Sequence, residues 1–211
     1  MKKIDNKGFS LIEMLVAVLI SGLMMLGVTA FLNSSRVSFT RVNTSVTLQE
    51  EAGITTKFLN ELILESKKFG KVEGTDFSYT DPSDTSKTTN IKVIWLKTVD
   101  NDYVASDDID EAKPESIYFI IWEESTKCIR YKRIDAADFD EASYSGVNGK
   151  NYVKGLISDV FFNDYNLISR YADTFTVNKD NNNPRSFSIE VKFVFNGESY
   201  YANVNSVSRN D

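Results

Sequence analysis

The sequence predicts an α+β protein in which one long N-terminal helix, apolar for its first half, lies on an antiparallel β-sheet. Three observations carry that expectation. Residues 9–32, FSLIEMLVAVLISGLMMLGVTAFL, hold one charge in 24 positions. Beyond them apolar residues recur at helical spacing, Leu48 and Ala52, then Ile54, Phe58 and Leu62, so the helix continues with one buried face. From residue 91 onward β-branched and aromatic runs alternate with polar corners, and Asn196-Gly197 joins two of them, the strongest short hairpin signal there is.

The chain of 211 residues has room for one domain with a real core plus a membrane segment. It opens with a basic leader, MKKIDNKG, in which Lys2, Lys3 and Lys7 face Asp5. Residues 9–32 follow and, at about 1.5 Å per residue, are long enough to cross a bilayer core. The positive leader stays on the cytoplasmic side and the remainder is exported. A secretory signal would have a shorter apolar region and a small-residue cleavage site. Here the run continues through Phe31 and Leu32 into Asn33, Ser34 and Ser35. Neither a cleaved signal nor a plain anchor explains Glu13, the lone carboxylate of the apolar stretch. A charge inside a membrane helix costs a few kcal/mol, and such residues usually have a partner. Snorkelling to the interface would relieve the cost without giving the residue a reason to be there. A cut between Gly8 and Phe9 would create an α-amino cation at neutral pH, which a neighbouring subunit could present to Glu13.

The stretch Lys7-Gly8-Phe9-Ser10-Leu11-Ile12-Glu13, followed by about twenty apolar residues, closely resembles the processing signal of type IV prepilins and of the pseudopilins of type II secretion and competence systems. That resemblance implies cleavage after Gly8 by a membrane prepilin peptidase, removal of residues 1–8, N-methylation of Phe9 and retention of the helix. It also implies that Glu13 recruits the subunit to a growing filament and neutralises a neighbour's amine. Glycine before the cut lets a protease approach an extended backbone, and methylation keeps the positive charge. Family members often carry a proline in the middle of this helix, whereas the first proline here is Pro82. Gly22 and Gly27 would supply the weakness, or serve close helix packing.

Residues 33–69 are expected to form the amphipathic continuation, with the helix running to about Ser66 and Gly70 and Gly74 ending it, and 70–211 to form the β-rich exported domain. Gly70 to Asn90, with YTDPSDTSKTTN, reads as a loop. Strands are expected at 91–99, 116–124, 126–134, 156–166, 186–195 and 198–208, with a hairpin at the corner after residue 124 and another at Asn196-Gly197. The layout agrees with the pilin fold. The late segment around Val160, Phe161 and Phe162, the closing hairpin and the tail Val207-Ser208-Arg209-Asn210 are similar to minor pilins of the W type and pseudopilins of the J type.

Composition narrows the function. The formal charge is −6, and without the first eight residues 21 basic and 29 acidic groups remain, a charge of −8. An acidic module repels phosphate, so no nucleic-acid partner is expected. The basic residues of KCIRYKR, Lys127, Arg130, Lys132 and Arg133, read as a solvated strand face. There is no histidine, which removes the commonest general base and imidazole ligand. With no Walker-type phosphate loop either, the chain is not expected to be an enzyme. Cys128 is the single cysteine, so no internal disulfide can hold the domain. No cofactor is assigned. The acidic stretch at 100–115, with Asp100, Asp102, Asp107, Asp108, Asp110 and Glu111, could hold calcium, but it matches no complete loop motif, and NKDNNNP at 178–184 reads the same way. Tyr118, Phe119 and Trp122, or Tyr200 and Tyr201, could offer adhesive rings, although alternate strand positions are mostly core.

The expectation is a minor type IV pilin, assembled into a pilus at or near its tip. A pseudopilin of secretion or DNA uptake, and a non-polymerising adhesive surface protein, are the alternatives. Expected partners are other pilin and minor pilin subunits, the prepilin peptidase, an inner-membrane assembly platform and, before assembly, membrane lipid. The chain would reside in the cell membrane before assembly and in a surface pilus afterwards.

Overall fold

A computed structural model describes residues 10–71, 77–81, 84–99, 115–145, 151–152, 155, 165–179 and 186–207. Helix α1 runs Leu11–Glu65, and the chain divides into two compact units, Met1–Thr44 and Ser45–Asp211. Among the described residues the first unit is Ser10 followed by helix alone. Its large apolar side chains are exposed, from Leu11 at 84% to Phe31 at 71%. The most apolar window has a mean hydropathy of 2.4 and is nowhere buried within the chain.

In the second unit α1 buries Leu48, Ala52, Leu59, Leu62 and Ile63, a stripe repeating every three or four residues. Ile54 is 60% exposed and falls off the stripe expected from the sequence. At about 100° per residue it sits some 200° around the helix from Ala52. The stripe passes instead through Thr55, which is buried and donates its hydroxyl to the Glu51 carbonyl. Phe58 is partly buried against the same core and tilts onto Tyr131 at 4.7 Å.

The strands are β1 (Ser66–Lys71), β2 (Phe77–Asp81), β3 (Asp84–Val99), β4 (Glu115–Glu123), β5 (Cys128–Asp135), β6 (Asn166–Ser169), β7 (Ala172–Lys179), β8 (Ser186–Phe195) and β9 (Glu198–Val207). They form two antiparallel sheets: the order β1-β3-β4-β5-β6, with β2 also on β3, and the order β7-β8-β9. A short helix α2 spans Glu141–Ser145. Both predicted hairpins are present. The β8–β9 turn has Asn196 at φ 48° and Gly197 at φ 82°, the left-handed pair that a two-residue turn of this hand requires.

Two expectations are corrected. The helix ends at Glu65, within a residue of the expected Ser66, but its stop is not a glycine: Ser66 starts β1, and the Ser66–Lys71 strand pairs with β3. Gly70 is therefore not a helix stop: it lies opposite Trp95, and a Cβ there would clash with the indole ring. The supposed loop at 70–90 contains β2 and the first half of β3, which pair from Phe77↔Ile91 to Asp81↔Asp84. Its threonines suit a strand, and Pro82 and Ser83 lie outside the described residues. Gly74 and residues 156–164, with Val160, Phe161 and Phe162, lie outside the described residues.

Strand β4 is buried on both faces. One face, with Ile120 and Trp122, meets α1 and the second sheet. The other, with Ile117, Phe119 and Ile121, lies under Phe139 and Tyr165. This is why β4 reads as a nearly continuous apolar run. The two sheets are joined by polar bonds: Trp122 Nε1 donates to the Ala172 carbonyl at 2.7 Å and Lys92 Nζ to the Phe175 carbonyl at 3.0 Å. Glu51 on α1 accepts from Ser169 Oγ at 2.8 Å and the Arg170 amide at 2.9 Å.

The close approach at Gly70 predicts that Gly70→Ala destabilises the detergent-solubilised chain by about 1–3 kcal/mol, because the indole must shift. Gly53 lies inside α1 with open space around it, so Gly53→Ala should stabilise by about 0.5–1 kcal/mol. Urea unfolding followed by circular dichroism reads both, and equal midpoints for the two variants would refute the packing described.

A second prediction concerns acid. The Lys97 ammonium, 2.6 Å from Glu115, and Lys67 at 3.5 Å hold that carboxyl below its ordinary value of 4.5. A carboxyl depressed in the folded state stabilises fully above its unfolded pKa and loses that contribution as pH falls through the folded value. Stability should therefore drop more steeply below about pH 4.5 in the wild type than in Glu115→Gln; parallel curves would exclude the pairing.

Candidate functional site

The exceptional chemistry lies at the start of α1. Gly8 and Phe9 lie outside the described residues. Ser10 precedes the helix and Glu13 sits in its first turn. The Ser10 amide donates to Glu13 Oε2 at 2.8 Å, and the Glu13 amide reaches Ser10 Oγ at 3.3 Å and the Ser10 carbonyl at 3.0 Å. The Met14 amide also donates to the Ser10 carbonyl, at 3.2 Å. This is a reciprocal capping box, in which each side chain satisfies an amide the helix end leaves free. A carboxylate is also favoured there by the helix dipole.

Glu13 thus has a role within its own chain, and Ser10 is the residue that reading the charge alone misses. The signal was present as Ser-x-x-Glu ahead of an apolar run. The cap does not exhaust the carboxylate. An ionised carboxylate offers about four acceptor positions, and the Ser10 amide takes one of the two oxygens. Glu13 remains exposed and can accept a cationic donor as well.

The helix behind this cap needs no other polar partner. Ser21 Oγ and Thr29 Oγ1 each donate to the carbonyl four residues earlier, on Ala17 and Met25, at 2.8 Å, so neither hydroxyl is stranded in an apolar setting. A Cβ added at Gly22 or Gly27 would meet nothing within 4 Å. Their small size leaves shallow notches where another helix backbone could approach.

The other candidate groups fall elsewhere. Lys127 is a turn residue at φ 55° that pairs with Asp173 at 3.3 Å. Lys132 lies over the Tyr165 ring, and Arg133 over Tyr118 with its Nε on Ser116 Oγ at 2.9 Å. The expected solvated basic face is therefore a set of partly covered cations resting on rings. Cys128 is a buried free thiol. Of the acidic stretch at 100–115, the described Glu115 bonds lysines, and Asp100, Asp102, Asp107, Asp108, Asp110 and Glu111 lie outside the described residues. Among the described residues no group of three acidic or thiol ligands gathers. Phe119 and Trp122 are core, whereas Tyr200 at 40% and Tyr201 at 70% are exposed.

Comparison with known proteins adds one match. Residues 4–29 fit the family model described as the prokaryotic N-terminal methylation motif. No curated protein and no solved structure matches the chain. The matched span takes in the second half of the leader from Ile4, Gly8-Phe9, the Ser10–Glu13 cap and most of the apolar helix. The chain therefore carries the N-terminal signature of type IV pilins and prepilins, which implies processing by a prepilin peptidase and assembly with other pilins.

Proposed function

We propose that the chain is a minor type IV pilin, a structural subunit cleaved between Gly8 and Phe9, methylated on Phe9 and assembled into a pilus at or near its tip. The observation that carries this reading is a methylation motif whose span runs into an apolar helix that the chain itself does not bury. The minor-subunit assignment draws on the resemblance of the closing hairpin and the Val207–Asn210 tail. Before assembly the helix is held by membrane lipid, with the leader on the cytoplasmic side. Extraction is the work of a separate inner-membrane assembly platform.

The chemistry divides in two. In the membrane, Glu13 caps its own helix through Ser10. In the filament, the remaining acceptor capacity of the same carboxylate receives the methylated amine of a neighbouring subunit. The pair matters there because a charge in an apolar setting is tolerated only when compensated.

Mass spectrometry of the mature chain should find methylated phenylalanine at position 9. An intact Met1, or a cut beyond the apolar run, would defeat the assignment.

Three substitutions separate the cap from the pairing. Glu13→Gln keeps an acceptor for the Ser10 amide and loses the charge. Glu13→Val loses both. Ser10→Ala weakens the cap, by about 1 kcal/mol, and keeps the charge. All three should still enter the membrane. Incorporation into sheared pili, read by immunoblot, should fall for both Glu13 variants and persist for Ser10→Ala. Normal incorporation of Glu13→Gln would reject charge pairing and leave the cap as the residue's whole role.

A further inference from the structure

Strand β9 is the outer strand of the β7-β8-β9 sheet, and among the described residues it pairs only with β8. The two-residue turn makes Phe195 and Glu198 the first hydrogen-bonded pair, and the register then runs one to one as far as Ser186↔Val207. Bonded and non-bonded pairs alternate in an antiparallel ladder. Ser199, Tyr201, Asn203 and Asn205 therefore turn their main-chain N–H and C=O groups away from β8. These donor–acceptor sets repeat about every 7 Å along the edge.

Natural sheets protect such an edge with lysine, proline, a bulge or a very short strand. Strand β9 has none of these. It has ten residues, ESYYANVNSV, and an unbroken register. Beside its residues 200–203 lies an open groove of about 470 Å³, whose other wall is the α1 face bearing Gln49, Gly53, Thr56 and Asn60. Gly53 leaves the wall open, since a Cβ there would meet nothing within 4 Å. Among the described residues the only charged side chain lining the groove is Lys57, which is highly exposed and reaches Glu61 at 4.0 Å.

We propose that β9 is a strand-addition site, where an extended segment of a neighbouring pilin-type subunit pairs with the outward backbone groups of Tyr201 and Asn203. Main-chain bonds supply the register, and side chains alternating toward α1 supply the selectivity. Charge complementarity fixes the chemistry of the segment: hydroxyl, amide or acidic side chains meet Gln49, Thr56, Asn60 and Lys57 favourably, whereas a basic segment would face Lys57. A lipid finds too little apolar lining, and a nucleic acid finds a single cation. The proposal rests on the assembly reading above, which places other pilin subunits beside this chain.

The test uses the full chain in cells that assemble it, with the photoreactive residue p-benzoylphenylalanine in place of Tyr201. Irradiated filaments should yield an adduct whose peptide maps to an extended segment of another pilin subunit. Gly53→Leu fills the groove, and Asn203→Pro removes an outward N–H without touching the β8 ladder. Each should lower the adduct about tenfold while circular dichroism and processing at Phe9 stay unchanged. Normal incorporation with no adduct, with an adduct on lipid or saccharide, or with an adduct that neither variant reduces, overturns strand addition and leaves the assembly reading standing. A chain that keeps Met1 and never enters filaments overturns both.

Discussion

An apolar helix that its own chain does not cover is the constraint on which the rest depends. Burying one large aliphatic side chain is worth about 1.5–3 kcal/mol, and the helix from Leu11 to Leu32 exposes a long series of them. Something outside the chain must cover them. Lipid tails are as apolar as leucine, so the hydrophobic effect does not distinguish a bilayer from a bundle of packed helices. What distinguishes them is polar chemistry and close packing. Glu13 is expensive in lipid and useful where a cation is fixed beside it, while Gly22 and Gly27 allow close approach of another helix. On the proposed assembly, the charge that looks misplaced in a membrane segment is the group that favours leaving the membrane.

The β-rich unit solves a different problem. With one cysteine, buried and free, it has no internal disulfide and must be held by packing and hydrogen bonds. The second half of α1 supplies one wall of the core. Strand β4 supplies the centre, buried on both faces. The bonds from Trp122 and Lys92 to the carbonyls of β7 then fix one sheet against the other, with Trp122 also lying under the ammonium of Lys92 at 5.1 Å. Glu51 ties the helix to the end of β6 and to the Arg170 amide that follows it. These are buried or partly buried polar bonds, and leaving either partner unpaired would cost more than the bond contributes.

Much of this was legible in the sequence, and the failures have physical causes. The membrane-length helix, both hairpins and the central strands follow from length, periodicity and a turn that needs two left-handed residues. The end of α1 was legible to within a residue, but β1 was not, because the helical and strand readings of Ser66–Gly70 differ only in what the backbone pairs with. The polar hairpin of β2 and β3 was hidden for the same reason: strands with little apolar alternation look like loops until a partner strand is known. Ile54 shows the limit of reading spacing by eye, since one position off the stripe turns a core residue into a surface one. At the N-terminus the charge was read and the cap was not. Glu13 demanded an explanation as a lone charge, and the Ser10 hydroxyl three residues earlier did not.

The central claim is that the helix passes from lipid to protein on assembly. Labelling with a hydrophobic aryl diazirine confined to the bilayer, followed by peptide mapping of α1, tests it directly. Leu15, Leu19, Leu23 and Leu26 should be labelled in the membrane fraction and protected in sheared filaments that contain the chain. Equal labelling in both fractions, or a processed chain confined to the membrane fraction, would contradict the account.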